Sequence, residues 1–455
     1  MRAPHMEAAL FHCLSRLVEW PDDIASDIIL GFQQCGAIPD TGILPPCEPT
    51  TDKSLRDFNP DKVVSNNLRV INAVQGKAQS AANTASIQAV WDASVKEVDK
   101  GLAFGAHDMI PDPQGGEAVK VTRGMSLEEL KDRFGGLSFV YLVERFGVWQ
   151  KDKCRACDNF ASNEVNDYTC QSETINCIGP DFMAMVACLF AEQLPQSANW
   201  QPQCFTEDII SAYRICGGRS PAFSTVAQWD PVRKQVAFFI VPGLNFGLRS
   251  AVTQFHRVPV LCTALARRCL MIPCGHYFDD YACVEPKGCG KSAQHYLREL
   301  HRILGVPLAC GPLRGNWICK GCDHKNMITQ LHCGRCKSPH PDVKSSLFAQ
   351  SNIFLGVETD FANFAQLWEI RMRVPIEKCA RTAHSIASAL LERELTPMAA
   401  AKIRGWLQFF LTWSFGRLGR AALQPISDRQ YRDDGRFTPA LEAAPRFLQH
   451  LLQSI

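Results

Sequence analysis

The stretch that most constrains this chain is His276-Tyr277-Phe278-Asp279-Asp280-Tyr281, two adjacent carboxylates set between aromatic residues. The apolar run Leu270-Met271-Ile272-Pro273-Cys274 leads into it, and Ala282-Cys283-Val284 leads out. That pattern predicts a tight β-hairpin with buried strands and two anions at its tip. Like charges this close repel, so a fold keeps them only if they are solvated or share a cation. By itself the pair reads as a solvated turn, and its meaning depends on partners elsewhere in the chain.

A chain of 455 residues is too long for one small core, and its length suggests roughly two to four structural units. Hydrophobic residues make up 46% and charged residues 21%, which are globular values. With a net charge of +2, composition neither demands nor excludes a nucleic-acid partner, so a basic channel has to be local. No apolar run approaches the roughly 18 residues of a membrane helix, and Met1-Arg2-Ala3-Pro4-His5-Met6-Glu7 opens no apolar leader. The expectation is an intracellular protein of the cytoplasm or nucleus, not secreted and with no membrane partner. Its 21 cysteines then read as mostly reduced core thiols, with a minority on metal.

Residues 1–100 mix short helical patterns with breaks such as Gly42-Ile43-Leu44-Pro45-Pro46, and read as an N-terminal arm without identifiable chemistry. Its clearest helix runs from Ala82 to Val98, with Ile87, Val90, Trp91, Val95 and Val98 at three- and four-residue steps. Further on, Lys153 and Arg155 are two apart and would share one side of a strand. Such a pair can grip a phosphate, and a solvated strand face has the same pattern. Cys154, Cys157, Cys170 and Cys177 do not have the spacing of a compact zinc site. A buried helix is expected over Pro180 to Gln193, and a hairpin over Phe223 to Val241. Between them lies Cys204 to Arg214, a strand entry ending in Asp208 with Tyr213 five residues later. Pro242 to Ala251 reads as a glycine-bearing loop opening a helix that continues to Cys269, and another helix is expected from about Ser292 to Leu304.

In this order, Asp208 with Tyr213, then Phe246-Gly247-Leu248 before a helix, then Tyr277-Phe278-Asp279-Asp280, the chain resembles the A, B and C motifs of reverse transcriptases. Lys153-x-Arg155-x-x-Asp158 with Asn166 resembles the preceding fingers motif, and Phe354-Leu355-Gly356-Val357 the strand after the palm. The likeness is greatest to polymerases of tyrosine-recombinase-type retrotransposons, whose helical continuation also carries signatures like Leu395-Thr396-Pro397 and Gly416-Arg417-Leu418-Gly419-Arg420. It covers residues 85–445 approximately. It implies an α+β fold, a right-hand polymerase with fingers over 101–205, palm over 206–310 and 342–362, and an all-helical thumb- or connection-like region over 363–455. A ribonuclease H domain normally follows in that family and is not expected within these residues. The activity implied is RNA-directed DNA polymerase, with an RNA/DNA primer-template and dNTPs as partners.

Phosphoryl transfer to a primer 3′-hydroxyl uses two Mg²⁺ ions about 3.5–4 Å apart. Mg²⁺ takes one or two carboxylates plus phosphate oxygens and water. The resemblance assigns Asp208 and Asp279 as the bridging catalytic pair and Asp280 as a more peripheral acid. Glu207 ranks below Asp208 because neighbouring strand residues face opposite sides. By the same resemblance, Tyr213 lies under the incoming sugar and excludes a 2′-hydroxyl. Arg155, assisted by Lys153, binds the triphosphate, and Gly247 lets backbone approach the nascent pair. Asn245 stands where the family usually has proline or another loop residue.

Between the Ser292 helix and Phe354 lies an insertion that family does not usually have. Trp317-x-Cys319-x2-Cys322-x3-Asn326-x6-Cys333-x2-Cys336 resembles the zinc finger of the Ran-binding nucleoporin family, expected over 313–341. Four thiolates in two knuckles make a closed structural site for one Zn²⁺, and so short a segment has little other means of folding. The aromatic and arginines by which such fingers read RNA are replaced by Thr329, Gln330 and Leu331, and the ubiquitin-binding Thr-Phe by Asp323-His324. Arg314, Lys320, Lys325, Arg335 and Lys337 leave a basic surface. Lys344 is the nearest candidate for the lysine that closes the palm. The alternative to a polymerase is therefore a decayed or repurposed element whose finger binds RNA or a protein.

Residues 361–455 read as helical. Thr396 is a natural N-cap before Pro397, Trp406, Phe409, Phe410, Trp413 and Phe415 read as core, and Arg417, Arg420, Arg429, Arg432 and Arg436 as a basic edge suited to a duplex.

Overall fold

The computed structural model describes residues 6–51, 59–110, 119–150, 153–194, 200–309, 317–318, 322, 325–326, 335–336, 346–412, 420–431 and 438–454. Helices and strands interleave along the chain in a mixed α+β fold. Among the described residues no helix is long and apolar enough to cross a membrane. The chain forms two compact units, one of 1–177, 207–281 and 292–345, the other of 178–206, 282–291 and 346–455.

In the first unit a four-stranded sheet has the order Lys153–Asn159, Leu142–Gln150, Thr225–Asp230, Gln235–Ile240. The first two strands are antiparallel, with Arg145 opposite Asp158 and Val148 opposite Arg155, whereas Leu142–Gln150 and Thr225–Asp230 run parallel. The helix Pro60–Ala78 begins with Asn59 capping the Asp61 amide at 2.9 Å and proline at its first position. It packs Val70 and Val74 into a core with Leu130, Leu142, Ala227, Phe238 and Ile240. The expected stripe on residues 82–98 forms the helix Thr84–Asp99, which buries Val90, Trp91 and Ser94 and sets Trp91 edge-on to Phe239 at 5.6 Å.

Residues 6–50 contribute to this unit's core. Phe11, Ile24 and Phe32 are fully buried. Asp22 takes a two-pronged bond from Arg257 at 2.7 and 2.9 Å, and Phe32 donates its amide to the Gly217 carbonyl at 2.7 Å. Arg257 belongs to the helix Arg249–Cys269, which is buried over most of its length.

A second four-stranded sheet has the order Cys274–Tyr277, Asp280–Pro286, Pro202–Asp208, Ser346–Ala349. In the second unit, the helix Phe182–Gln193 packs Met183, Val186 and Ala187 against Cys204, Val284, Phe354 and Phe361. The same unit closes with the helices Ile376–Glu392, Pro397–Thr412, Gln424–Arg429 and Pro439–Ser454 around Ile386, Leu395, Ile403, Leu407, Phe410 and Leu448.

Thr396 accepts from the Ala399 amide at 3.2 Å, the cap its sequence predicts. Trp406 and Phe409 pack against this core as expected. Arg429 corrects the basic-edge reading: it is buried and donates Nε to the Leu395 carbonyl. It satisfies a carbonyl in the short connection between the helices Ile376–Glu392 and Pro397–Thr412, which periodicity alone does not reveal. Trp413, Phe415, Arg417, Arg432 and Arg436 lie outside the described residues.

Of the expected finger, Trp317–Ile318 pairs antiparallel with Lys325–Asn326, Trp317 opposite Asn326. Cys319, Cys333 and Lys344 lie outside the described residues, while Cys322 and Cys336 lie within them.

Candidate active site

The paired acids sit where the sequence predicts, on a hairpin whose two connecting residues are Phe278 and Asp279. Phe278 has φ of 53°, a left-handed conformation that disfavours any residue with a Cβ by roughly 1–2 kcal/mol. Rings hold it there: Tyr277 stands edge-on at 5.0 Å and His256 at 5.8 Å. Strain of this kind persists only where the surroundings over-determine it.

The hairpin tip is fastened to the neighbouring strand. The Ile209 amide donates to the Asp279 carbonyl at 2.9 Å, and the Asp208 carbonyl accepts from the Ala309 amide at 2.7 Å. The first of these bonds brings the end of the Asp208 strand against the Asp279 turn. Asp208 is buried and Asp279 and Asp280 are half-buried. Glu207 faces elsewhere, as strand alternation requires, and takes bonds from Arg298 Nε at 2.7 Å and Gln294 Nε2 at 2.8 Å.

Beyond Asp208 the chain turns through Ser211 (φ 61°) and Ala212 (φ 20°), both strained for residues with a side chain, and delivers Tyr213. The Tyr213 ring meets Phe246 edge-on at 4.7 Å and Phe255 at 5.0 Å. Its phenol is pushed up to about 12, first by burial and then by the charge of Asp279, so Tyr213 lies within electrostatic reach of the acidic tip. Gly247 has φ of 91°, and a Cβ there would stand 2.6 Å from the Asp158 carbonyl oxygen, so only glycine fits. Asn166 clamps this loop, donating to the Gly247 carbonyl at 2.9 Å and accepting from the Arg249 amide, the first of the helix, at 2.8 Å.

Asp208 thus ends its strand beside the Asp279–Asp280 turn, Tyr213 packs on Phe246, and Asn166 holds the adjoining Gly247 loop. Arg155 is an exposed residue in the Lys153–Asn159 strand, opposite Val148. Lys153 opens the same strand, opposite Gln150.

Sequence reasoning missed two features. One is a buried ionic hub at Asp158, which takes bonds from Arg145 Nε at 2.7 Å, Arg214 at 3.3 Å and Asn245 Nδ2 at 2.9 Å. Burial opposes ionisation of Asp158, but the two guanidiniums outweigh it and hold the carboxyl below its ordinary value. Glu97 completes the network with Arg145 at 2.7 Å and Arg214 at 3.4 Å. The departure at Asn245 is its one trace in the sequence.

The other feature is a column of rings behind the hairpin: His256 on His276 at 4.9 Å, His276 near Tyr281 at 5.8 Å, Tyr281 edge-on to His301 at 4.9 Å. Burial drives His256 and His301 down to about 4 and His276 to about 3, so all three are neutral at pH 7. Thr263 shares a hydrogen bond with His276 Nδ1 at 2.7 Å.

Among the described residues no group of three or more His, Cys, Asp or Glu side chains is arranged to enclose a metal ion. Fold and site together define a mixed α+β protein with an acidic hairpin tip fastened beside a buried strand-end aspartate. No protein-family model matches the chain. A search of curated proteins finds no match either. Among solved structures the chain is similar, at 12% identity and a TM-score of 0.42, to the foamy viral protease-reverse transcriptase dRH in complex with ds DNA, over 90% of this chain and 62% of that one. The chain therefore spans less than two thirds of that protein's length.

Proposed function

We propose that the chain is an RNA-directed DNA polymerase, or part of one, of the tyrosine-recombinase retrotransposon type. It extends a primer 3′-hydroxyl with deoxynucleotides. The reading rests on the ordered motifs and is supported above all by the hydrogen bond from Ile209 to Asp279, which sets two acids from neighbouring strands side by side. A pair of hard oxygen donors suits Mg²⁺, which completes its shell with phosphate oxygens and water. Asp208 and Asp279 would hold it, with Asp280 at the edge. Bound there, Mg²⁺ supplies charge for the developing anions of the nucleophile and the leaving pyrophosphate. Tyr213, braced by Phe246 and Phe255, presents the surface on which a deoxyribose rests and a 2′-hydroxyl collides. Gly247 keeps backbone close to the nascent pair, and the exposed Arg155, with Lys153, supplies a guanidinium fork for the triphosphate.

The inserted finger belongs to the same proposal. Cys319, Cys322, Cys333 and Cys336 hold one structural Zn²⁺, and the paired Trp317–Ile318 and Lys325–Asn326 segments suit a knuckle that carries ligands on a short hairpin. Its surface takes RNA or a protein partner.

The deciding experiment is primer extension on an RNA template with Mg²⁺ and deoxynucleotides. Extension that Asp279→Asn and Asp208→Asn both abolish is the expected result. Absence of extension by cooperatively folded wild-type protein, or extension unchanged in both variants, overturns the reading.

A further inference from the structure

We infer that Asp158 and Asn245 are positioning residues that set the Tyr213–Phe246 pair, and through it the sugar side of the nucleotide site. The inference rests on the polymerase reading and adds to it two residues outside the motif acids.

Asp158 Oδ2 accepts from Arg214, the residue after Tyr213, and from Asn245, the residue before Phe246. Each of the two facing rings is therefore tethered through its chain neighbour to the same atom. Arg214 also reaches the Leu244 carbonyl at 3.3 Å, and the Leu244 amide donates to the Tyr213 carbonyl at 3.1 Å, which closes the loop between them. The main chain of Asp158 acts at the same place, since its carbonyl is what a Cβ at Gly247 would strike. Oδ1 is taken by Arg145, which anchors the whole to the sheet.

The cost of this arrangement shows that it does more than fill space. Asp158, Arg145, Arg214 and Asn245 are all buried. A buried ionic network is weak as a source of stability compared with apolar packing of equal volume, and its best-attested use is to fix one register among several. Asn245 is fully buried, and its Oδ1 finds no partner among the described residues, so its hydrogen bonding rests on Asp158. An amide is useful there only as a donor aimed at the carboxylate.

The test uses the full chain and Asn245→Ala, because Asp158→Asn leaves two buried guanidiniums poorly paired. In primer extension the variant raises KM for the incoming deoxynucleotide about tenfold, keeps kcat within about threefold, and lowers discrimination against ribonucleotides by a similar factor, ~1.4 kcal/mol. Separately, the Tyr213 ring resonances in tyrosine-labelled protein, assigned with Tyr213→Phe, move toward their unstructured positions as the Phe246 and Phe255 edges lose their fixed places. An Asn245→Ala protein that melts cooperatively with KM, discrimination and ring resonances unchanged overturns the inference, as does a loss confined to kcat. If that variant does not fold, Arg214→Lys, which keeps the charge and shortens the tether, carries the same expectations. If folded wild-type protein extends no primer, the polymerase reading fails by itself, and the Tyr213 resonances alone decide the positioning role.

Discussion

The Ile209 amide and the Asp279 carbonyl are 2.9 Å apart, and this single bond joins the residue after one candidate metal ligand to the other. It makes the separation of the two acids a property of the sheet rather than of two mobile loops. Replacing either carboxylate with an amide keeps shape and removes charge. Asp279→Asn and Asp208→Asn are each expected to cut primer extension at least about a hundredfold, with thermal melts close to wild type. Retained extension in both is incompatible with the proposed chemistry.

Gly247→Ala tests the loop. The added methyl would lie 2.6 Å from a backbone oxygen, at a φ of 91° that alanine rarely adopts. That oxygen is main chain and not a flexible side-chain end, so the loop or the strand has to move. A loss of about 2–4 kcal/mol of stability is expected, together with weaker nucleotide binding. A urea midpoint indistinguishable from wild type would show that the loop yields freely.

Much of this was legible in the sequence, and the reason is periodicity. The hairpin, the strand ending at Asp208 and the helices Thr84–Asp99 and Arg249–Cys269 were readable because alternation or a 3.6-residue stripe marks each of them. The place of residues 6–50 in the core was not, since Asp22 and Arg257 are 235 positions apart and no local pattern records such a pair. Arg429 failed for a related reason: a buried arginine bonded to a carbonyl in a distant interhelical connection has the same local sequence as a solvated one. The Asp158 hub escaped because its members come from five separate segments, although the unexpected amide at Asn245 was its visible sign.

The buried imidazoles predict acid sensitivity. His256 and His301 fold with values near 4 and His276 near 3, against 6.5 as the ordinary value, burial being the first cause in each. As pH falls below 6.5 the unfolded chain takes up protons that the folded chain refuses. Their contribution is therefore complete above that pH and is lost as pH falls toward 4, by up to ~3 kcal/mol for each group. Urea midpoints should fall steadily from pH 7 to pH 5, and His256→Phe with His276→Phe should flatten that slope. A wild-type midpoint constant over this range would contradict the burial of these rings.

The N-terminal segment is expected to be indispensable. Asp22 and Arg257 are both buried and joined by two bonds, and removing one member strands the other charge. Arg257→Leu should cost about 3–5 kcal/mol, read as a lowered urea midpoint, and deletion of residues 1–35 should abolish cooperative unfolding. A truncated chain that still melts in one sharp transition would show that the arm is merely attached.

The finger gives the last prediction. A segment this short and this polar has little apolar area to bury, so its folding free energy has to come from metal ligation. Purified protein should carry about one zinc per chain, released by a thiol-modifying reagent and not by mild acid above pH 6. Cys322→Ser and Cys336→Ser should each lower zinc content and increase proteolysis within 313–341, while leaving the melt of the remaining chain unchanged. Because insertion into a surface loop perturbs its host little, primer extension should survive loss of zinc if the finger only recognises a partner. Extension lost together with zinc would instead make the finger part of the polymerase's own grip on its template.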